Sequence, residues 1–407
     1  MNKQKIVNKS RSYAATLAAG EVTSLRIKED EKTVVRVYDG GKIGVAGRIG
    51  EGDDKALEKQ AEEALSQNIP YPDALGSGEK RHEDIRKGAI AEDDFLPAAK
   101  HLAARLKERF PDFIFSDKFA AEQMESTYRD SAGTDLSYAS DSVEVSLMIK
   151  AAESSNIMDL GYGARRDFYS EDKVVSDIAK LLDVYRNKLP LPEEKLPVII
   201  DAGVVQYILS HMVAEMYASG ASLFSGKLGQ KLFSDKVDLL IDRTPGKDAM
   251  VPFFDDEGVT LPQDKFYFIK QGKLEGLATY RRSAAMLNMP LSGSGYADFD
   301  SVPQSGNFRG VQFDDKGAKL TDVVKGKAIY ISVTSGGDMT PDGNVATPVM
   351  LAYLYDGGKL VGTLPEFGIS GNIYDFLGND LIAVAKNDMF DYMEEQVLVT
   401  YFNIDKK

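Results

Sequence analysis

Residues 203–230 read GVVQYILSHMVAEMYASGASLFSGKLGQ. The first sixteen carry apolar residues at helical spacing, which predicts a helix over 203–218. Small residues and glycines follow and predict a loop. His211, one of only three histidines in the chain, falls in the apolar part of that helix. Glu215 lies one turn on, so the two could project from one face as metal ligands. A catalytic zinc needs three protein ligands, and the third could come from Asp255, Asp256 or Glu257 in FFDDEG. The plainer reading packs His211 in a core, leaves Glu215 at the helix edge and makes FFDDEG a turn.

Upstream, EVTSLRIKE, KTVVRVYD and KIGVAGRI read as short strands, with Asp39-Gly40-Gly41 as a hairpin turn. DDKALEKQAEEALSQN reads as a helix capped by Asp53 or Asp54. Residues 70–92 are rich in Pro, Gly and charge and read as an exposed loop containing His82. DDFLPAAKHLAARLKERF is a second helix with His101 on its charged face. Two long strands flank SAGT, and SEDKVVSDIAKLLDVYRNKL is a third helix with Ser170 as cap. LPLPEEKLP at 189–197 reads as a linker. Beyond it, VIIDAG is a buried strand, and short strands with Gly-rich turns recur to the end, the last of them in EEQVLVTYFNI. The expected fold is α+β, in two domains. Residues 1–190 form an N-terminal α/β domain with helices on a mixed sheet. Residues 196–407 form a C-terminal β-rich domain, barrel-like or a sandwich, that carries the 203–218 helix.

The net charge of −14 argues against direct binding to nucleic acid or anionic membranes, both of which need clustered cations. No run of about 18 apolar residues predicts a membrane span. The chain has no cysteine, which excludes disulfides and thiolate metal sites and fits a reducing compartment; the cytoplasm is the expected location. Lys3, Lys5, Lys9 and Arg11 ahead of SYAATLAAG faintly echo a signal peptide, but the apolar part is short and alanine-rich, and a first helix is predicted there.

Two other chemistries fail on spacing. GASLFSGKL nearly spells a phosphate loop, but five residues separate its glycines and Leu228 stands where magnesium needs a hydroxyl. GISGN at 368–372 approaches a nucleophile elbow, but Asn372 replaces the last glycine.

The order of segments resembles the TldD/PmbA family, peptidase-related proteins known as modulators of DNA gyrase. The residues that carry the resemblance are HMVAE from His211, SLFSGKLGQKLFSDKVDLLID (222–242), PFFDDEGV (252–259), GKLEGLATYRRSAAMLNMPLSGSGY (272–296) and GISGNIYDFLGNDLIAVAKND (368–388). In the TldD kind, a His-Glu-x-x-x-His motif supplies two zinc ligands and a general base, and a C-terminal cysteine helps hold the metal. Here His211 falls on the first histidine, Met212 on the base and Met216 on the second histidine. The resemblance is therefore to the metal-free PmbA, or TldE, kind. It implies no cofactor in this chain, with zinc only in a TldD-like partner subunit. It also implies dimers, with that partner or with self, and a cleft that holds unfolded or extended peptide. Candidate cleft residues are Ser222, Phe224, Ser225, Asp255, Asp256, Glu257, Gly371 and Asn372; His211 and Glu215 are the remnant-motif candidates. The alternatives are a homodimeric peptide-binding or scaffold protein, and an active metallohydrolase with an atypical site at His211 and Glu215. Any link to gyrase would be indirect, through peptide turnover.

Overall fold

The computed structural model of the chain describes residues 1–73, 75–393 and 396–406. In chain order its first half comprises β1 (Asn2–Ala18), β2 (Glu21–Asp39), β3 (Lys42–Ile49), α1 (Asp54–Ala64), β4 (Ile69–Pro70), β5 (Lys80–Asp84), α2 (Glu92–Arg109), β6 (Phe113–Asp130), β7 (Asp135–Ala151), β8 (Leu160–Arg166) and α3 (Glu171–Tyr185). The strands form one sheet in the order β4-β3-β2-β1-β6-β7-β5, with β8 also on β7. Only β5 runs parallel to its neighbour, so the sheet is mixed.

β1 replaces the helix expected near the N-terminus. Its alanines favour helix, but Asn2–Ala18 pairs with β2 on one side and β6 on the other. Burial also alternates through Tyr13, Ala15 and Leu17. Pairing on both edges outweighs intrinsic propensity. The expected loop at 70–92 contains β5, whose charged residues reveal nothing of its pairing.

The helices follow from their caps and stripes. Asp53 accepts the Lys55 N–H at 2.9 Å and starts α1. Leu57 and Ala61 of α1 pack on Val35 and Val37 of β2. The approach is close: a Cβ on Gly44 of β3 would lie 2.0 Å from the Ala61 carbonyl oxygen. α2 and α3 bury Phe95, Leu102 and Leu106, and Val174, Ile178 and Leu181, against the same sheet.

The second half comprises β9 (Val198–Asp201), α4 (Gln206–Leu209), α5 (Ala214–Ala218), β10 (Leu239–Asp242), β11 (Lys265–Lys270), β12 (Lys273–Leu274), α6 (Arg281–Leu287), β13 (Gly295–Tyr296), β14 (Gln304–Ser305), β15 (Val311–Phe313), α7 (Leu320–Val323), β16 (Lys327–Thr334), β17 (Asp338–Met339), β18 (Asn344–Asp356), β19 (Lys359–Leu364), β20 (Phe367–Asn372), α8 (Ile373–Phe376), β21 (Ala383–Lys386), β22 (Gln396–Thr400) and β23 (Asn403–Lys406). Of the last strand run expected, Glu394 and Glu395 lie outside the described residues. A large sheet runs β21-β22-β9-β16-β18-β20-β23, with β17 and β19 also on β18. β9 and β16 are parallel and the rest antiparallel. Its two end strands are not paired with each other, so the barrel-like expectation is corrected: the sheet is open. A smaller sheet, β12-β11-β10-β15, packs against one face through Leu239, Ile241 and Phe268. The other face meets α3 and the first sheet, so Tyr330, Tyr353 and Val397 share a core with Phe119 and Ile178. Among the described residues no helix is long and apolar enough to cross a membrane.

Candidate functional site

The helix expected over 203–218 is broken. Asp201 caps a short 3-10 turn by accepting the Gly203 N–H at 2.6 Å. α4 and a second 3-10 turn follow, and then Val213 is extended, with φ −65° and ψ 125°. This break lets the chain pair with a neighbouring segment. The Ala278 N–H donates to the Met212 carbonyl at 2.7 Å, and the Ala214 N–H donates to the Ala278 carbonyl at 3.0 Å. One continuous helical face therefore does not join His211 to Glu215. Glu215 is exposed and accepts the Ser305 hydroxyl at 2.9 Å, whereas the His211 ring turns toward the loop that follows α5.

That loop wraps His211. The Ser222 hydroxyl donates to the His211 carbonyl at 2.6 Å and accepts the Phe224 N–H at 3.0 Å. The Leu223 N–H donates to His211 Nδ1 at 3.0 Å. The buried Phe224 ring stands edge-on to the imidazole, with centroids 6.2 Å apart. Ser225 donates to the Tyr217 carbonyl at 2.9 Å. Gly220 and Gly226 both take positive φ, so the near-phosphate-loop glycines serve the turns of this loop.

The bond from Leu223 fixes the tautomer. With Nδ1 accepting, the neutral ring carries its proton on Nε2. Neither nitrogen then offers a free lone pair to a cation. Metal-bound histidines have the reverse arrangement, with the non-ligating nitrogen donating. Burial also pushes the His211 pKa below its ordinary value. Met212, in the position of the family's general base, is 0% exposed and packs in the core between the sheets of the second half. Met216 is half-buried. Among the described residues no three His, Asp or Glu side chains converge as a metal site. Nor is a serine activated by His211: Ser222 is spent on the backbone, and Ser370 donates to Asp405 across the sheet at 3.1 Å.

Asn372 joins the His211 region. Its Oδ1 accepts the Tyr374 N–H at 3.0 Å and caps α8, while its Nδ2 donates to the Asp342 carbonyl at 3.1 Å. The Tyr374 hydroxyl donates to the Leu223 carbonyl at 3.4 Å and accepts Lys227 Nζ at 2.8 Å. Gly371 lies under Phe402, where a Cβ would meet the ring at 3.1 Å. His211 and Ser222–Ser225 thus lie together, and Asn372 is linked to them through Tyr374, whose N–H it caps and whose hydroxyl meets the Leu223 carbonyl.

The acidic turn lies a few residues further along the segment that Ala278 begins, where the Arg281 N–H donates to Glu257 Oε2 at 2.9 Å. Asp255 is 2% and Glu257 0% exposed. Asp255 accepts the Glu257 and Val259 N–H groups at 2.9 Å and the Gly295 N–H at 2.8 Å. Burial raises the Asp255 pKa, and the Arg243 charge and these three backbone donors act against that rise. Glu257 takes the Tyr71 hydroxyl on Oε1. Burial, with the Asp255 charge beside it, pushes its pKa up to about 7. Asp256 accepts the Ala297 N–H at 3.0 Å. Gly258 closes the turn at φ +69°, where a Cβ would collide with the Tyr128 ring. The turn clamps the two halves of the chain together through Tyr71, Tyr128 and Arg36, whose Nη1 donates to the Asp256 carbonyl at 2.5 Å.

Sequence reasoning missed Tyr71, Arg36, Arg243 and Arg281. The one available signal was Arg36 inside the apolar run VVRVYD.

Residues 193–404 match the family model described as the PmbA/TldA metallopeptidase C-terminal domain, and residues 6–67 match domain 1 of the same metallopeptidases. A metalloprotease of Archaeoglobus fulgidus is 25% identical over 290 residues, 65% of this chain and 63% of that protein. The matched region therefore spans less than two thirds of that relative's length. Among solved structures, TldE from Thermococcus kodakarensis superposes with a TM-score of 0.83 at 19% identity, covering 100% of this chain and 97% of that one. A proposed modulator of a DNA gyrase from Thermotoga maritima gives 0.78 at 15% identity, covering 99% and 96%. At these identities the structural likeness is one of fold.

Proposed function

The chain belongs to the PmbA/TldD metallopeptidase family, and from that premise we propose that it is the metal-free, TldE-like subunit of a TldD/TldE-type peptidase in the cytoplasm. In this reading it supplies dimer surface and part of a cleft for unfolded or extended peptide, and a TldD-like partner supplies the zinc and the bond cleavage. The observation that carries the reading is the hydrogen bond from the Leu223 N–H to His211. Its Nδ1 is spent on the Leu223 N–H at 3.0 Å, and its neighbour Met212 is sealed in the core. The one imidazole that coincides with the family motif is thus committed to holding a loop. Zinc-activated water needs several ligands and a carboxylate to take its proton, and among the described residues neither is assembled around His211.

The net charge of −14 is unfavourable for a DNA-contacting role, so a link to gyrase would run through peptide turnover. The test is co-expression with a paralogue that carries His-Glu-x-x-x-His. Mass measurement of the intact complex should give a hetero-oligomer that cuts an unfolded peptide, with cleavage abolished by chelator. The chain alone should not cut. Chelator-sensitive cleavage by the chain alone, or failure of the two to associate, would count against the proposal.

A further inference from the structure

The Leu223 N–H donates to His211 Nδ1 at 3.0 Å, and that acceptor, unlike a carbonyl, takes up a proton in mild acid. In the protonated ring both nitrogens are donors, so an Nδ1–H would point at the Leu223 N–H and the bond is lost. The ring is half-buried, which leaves it room to turn toward water. The segment held by this bond is short. It starts where the Ala221 and Ser222 N–H groups donate to the Met216 carbonyl at 3.1 Å, and it ends where the Gly229 N–H donates to the Leu274 carbonyl at 2.8 Å. Between these points the other holds are the Ser222 and Ser225 hydroxyls on the His211 and Tyr217 carbonyls, Lys227 on Tyr374, and the buried Phe224 ring. None of these uses a group that titrates in mild acid.

The charged groups on the surrounding elements do not compensate an imidazolium. Glu215 of α5 is taken up by the Ser305 hydroxyl. Lys227 of the loop and Tyr374 of α8 bond to each other beside Leu223, so one cation already lies on that side and opposes a second. Asp342, in the turn before β18, is held by Thr340 and Asn344. Burial of the ring also disfavours its charged form.

We propose that His211 is an acid-released latch on residues 222–227: its protonation frees the Leu223 N–H and loosens this segment while the sheets around it stay closed. The device belongs to this chain alone and does not rest on the peptidase reading.

Hydrogen exchange read by mass spectrometry on the full chain tests it, at about pH 5 and about pH 7.5, with rates corrected for the intrinsic pH dependence of exchange. Peptides covering 222–227 should lose protection by about tenfold at the lower pH, while the core strand β9 keeps its own. In His211→Asn the side-chain oxygen accepts from Leu223 but does not titrate, so protection should be the same at both pH values. His211→Ala should be unprotected at both. If His211→Asn does not fold, NMR on the parent protein decides: the Leu223 amide and the His211 ring should titrate with one midpoint. Protection of 222–227 that does not change with pH in the parent, the same loss in a folded His211→Asn protein, or a Leu223 amide that does not move through the His211 titration would overturn the proposal.

Discussion

Replacing Glu257 by Gln should make the protein more stable at pH 8 and leave it unchanged near pH 4.5. Glu257 is 0% exposed and sits against Tyr71, Tyr38, Arg281 and Asp255. Burial and the Asp255 charge raise its pKa from the ordinary 4.5 to about 7. In the folded state this carboxyl therefore holds a proton that the unfolded chain releases earlier. The sign follows: its contribution to stability is full below the unfolded value and is lost as pH rises through about 7. At about 1.36 kcal/mol per tenfold step, the difference is about 3 kcal/mol by pH 8. Glutamine mimics the protonated acid, because its oxygen can accept the Arg281 N–H while its nitrogen donates to the Tyr71 oxygen. The assay is urea unfolding of parent and variant, followed by far-UV circular dichroism because the chain has no tryptophan. The stability gap should open from near zero at pH 4.5 to about 3 kcal/mol in favour of Gln at pH 8. A gap that does not change with pH, or a variant that is weaker at pH 8, would refute the reasoning.

Three further outcomes follow from the same structure. Ser222→Ala removes a buried hydroxyl that makes one bond to each side of the His211 loop, so denaturant unfolding should show a loss of about 1–3 kcal/mol. Met212→Ala empties a fully buried core position and should cost about 2–5 kcal/mol in the same assay; a loss near zero would mean that Met212 is not core. The His211 imidazole should titrate below its ordinary value by NMR, because burial and the Leu223 N–H both favour the neutral ring. Stability from this group is then lost as pH falls below about 6.5. A titration above that value would contradict the tautomer assigned here.

What could be read in advance was local. The Asp53 cap, the α3 stripe and the Asp39-Gly40-Gly41 hairpin are written in a few adjacent residues each, and the structure has all three. What could not be read depended on distant partners. β1 carries an alanine-rich stretch that favours helix in isolation and becomes a strand because β2 and β6 flank it. Val213 has nothing unusual around it in sequence; it is extended because Ala278, more than sixty residues on, bonds on both sides of it. Arg36 was hidden for a similar reason. Residues 33–38 are buried on both faces of β2, one by α1 and the other by the second half of the chain, so no alternation marks it. The candidate site shows the same division. His211 and the Ser222–Ser225 loop are neighbours in sequence and in space, whereas Asn372 reaches them only through the turn at Asp342 and the side chain of Tyr374.

The central claim is that His211 is a loop-holding imidazole and not a ligand. Zinc content by plasma mass spectrometry, on the chain purified with zinc supplied, tests this most directly, alongside His211→Ala. Zinc should be substoichiometric in both proteins, and chelator should leave the melting temperature unchanged. One zinc per chain in the parent, lost in His211→Ala, would contradict it.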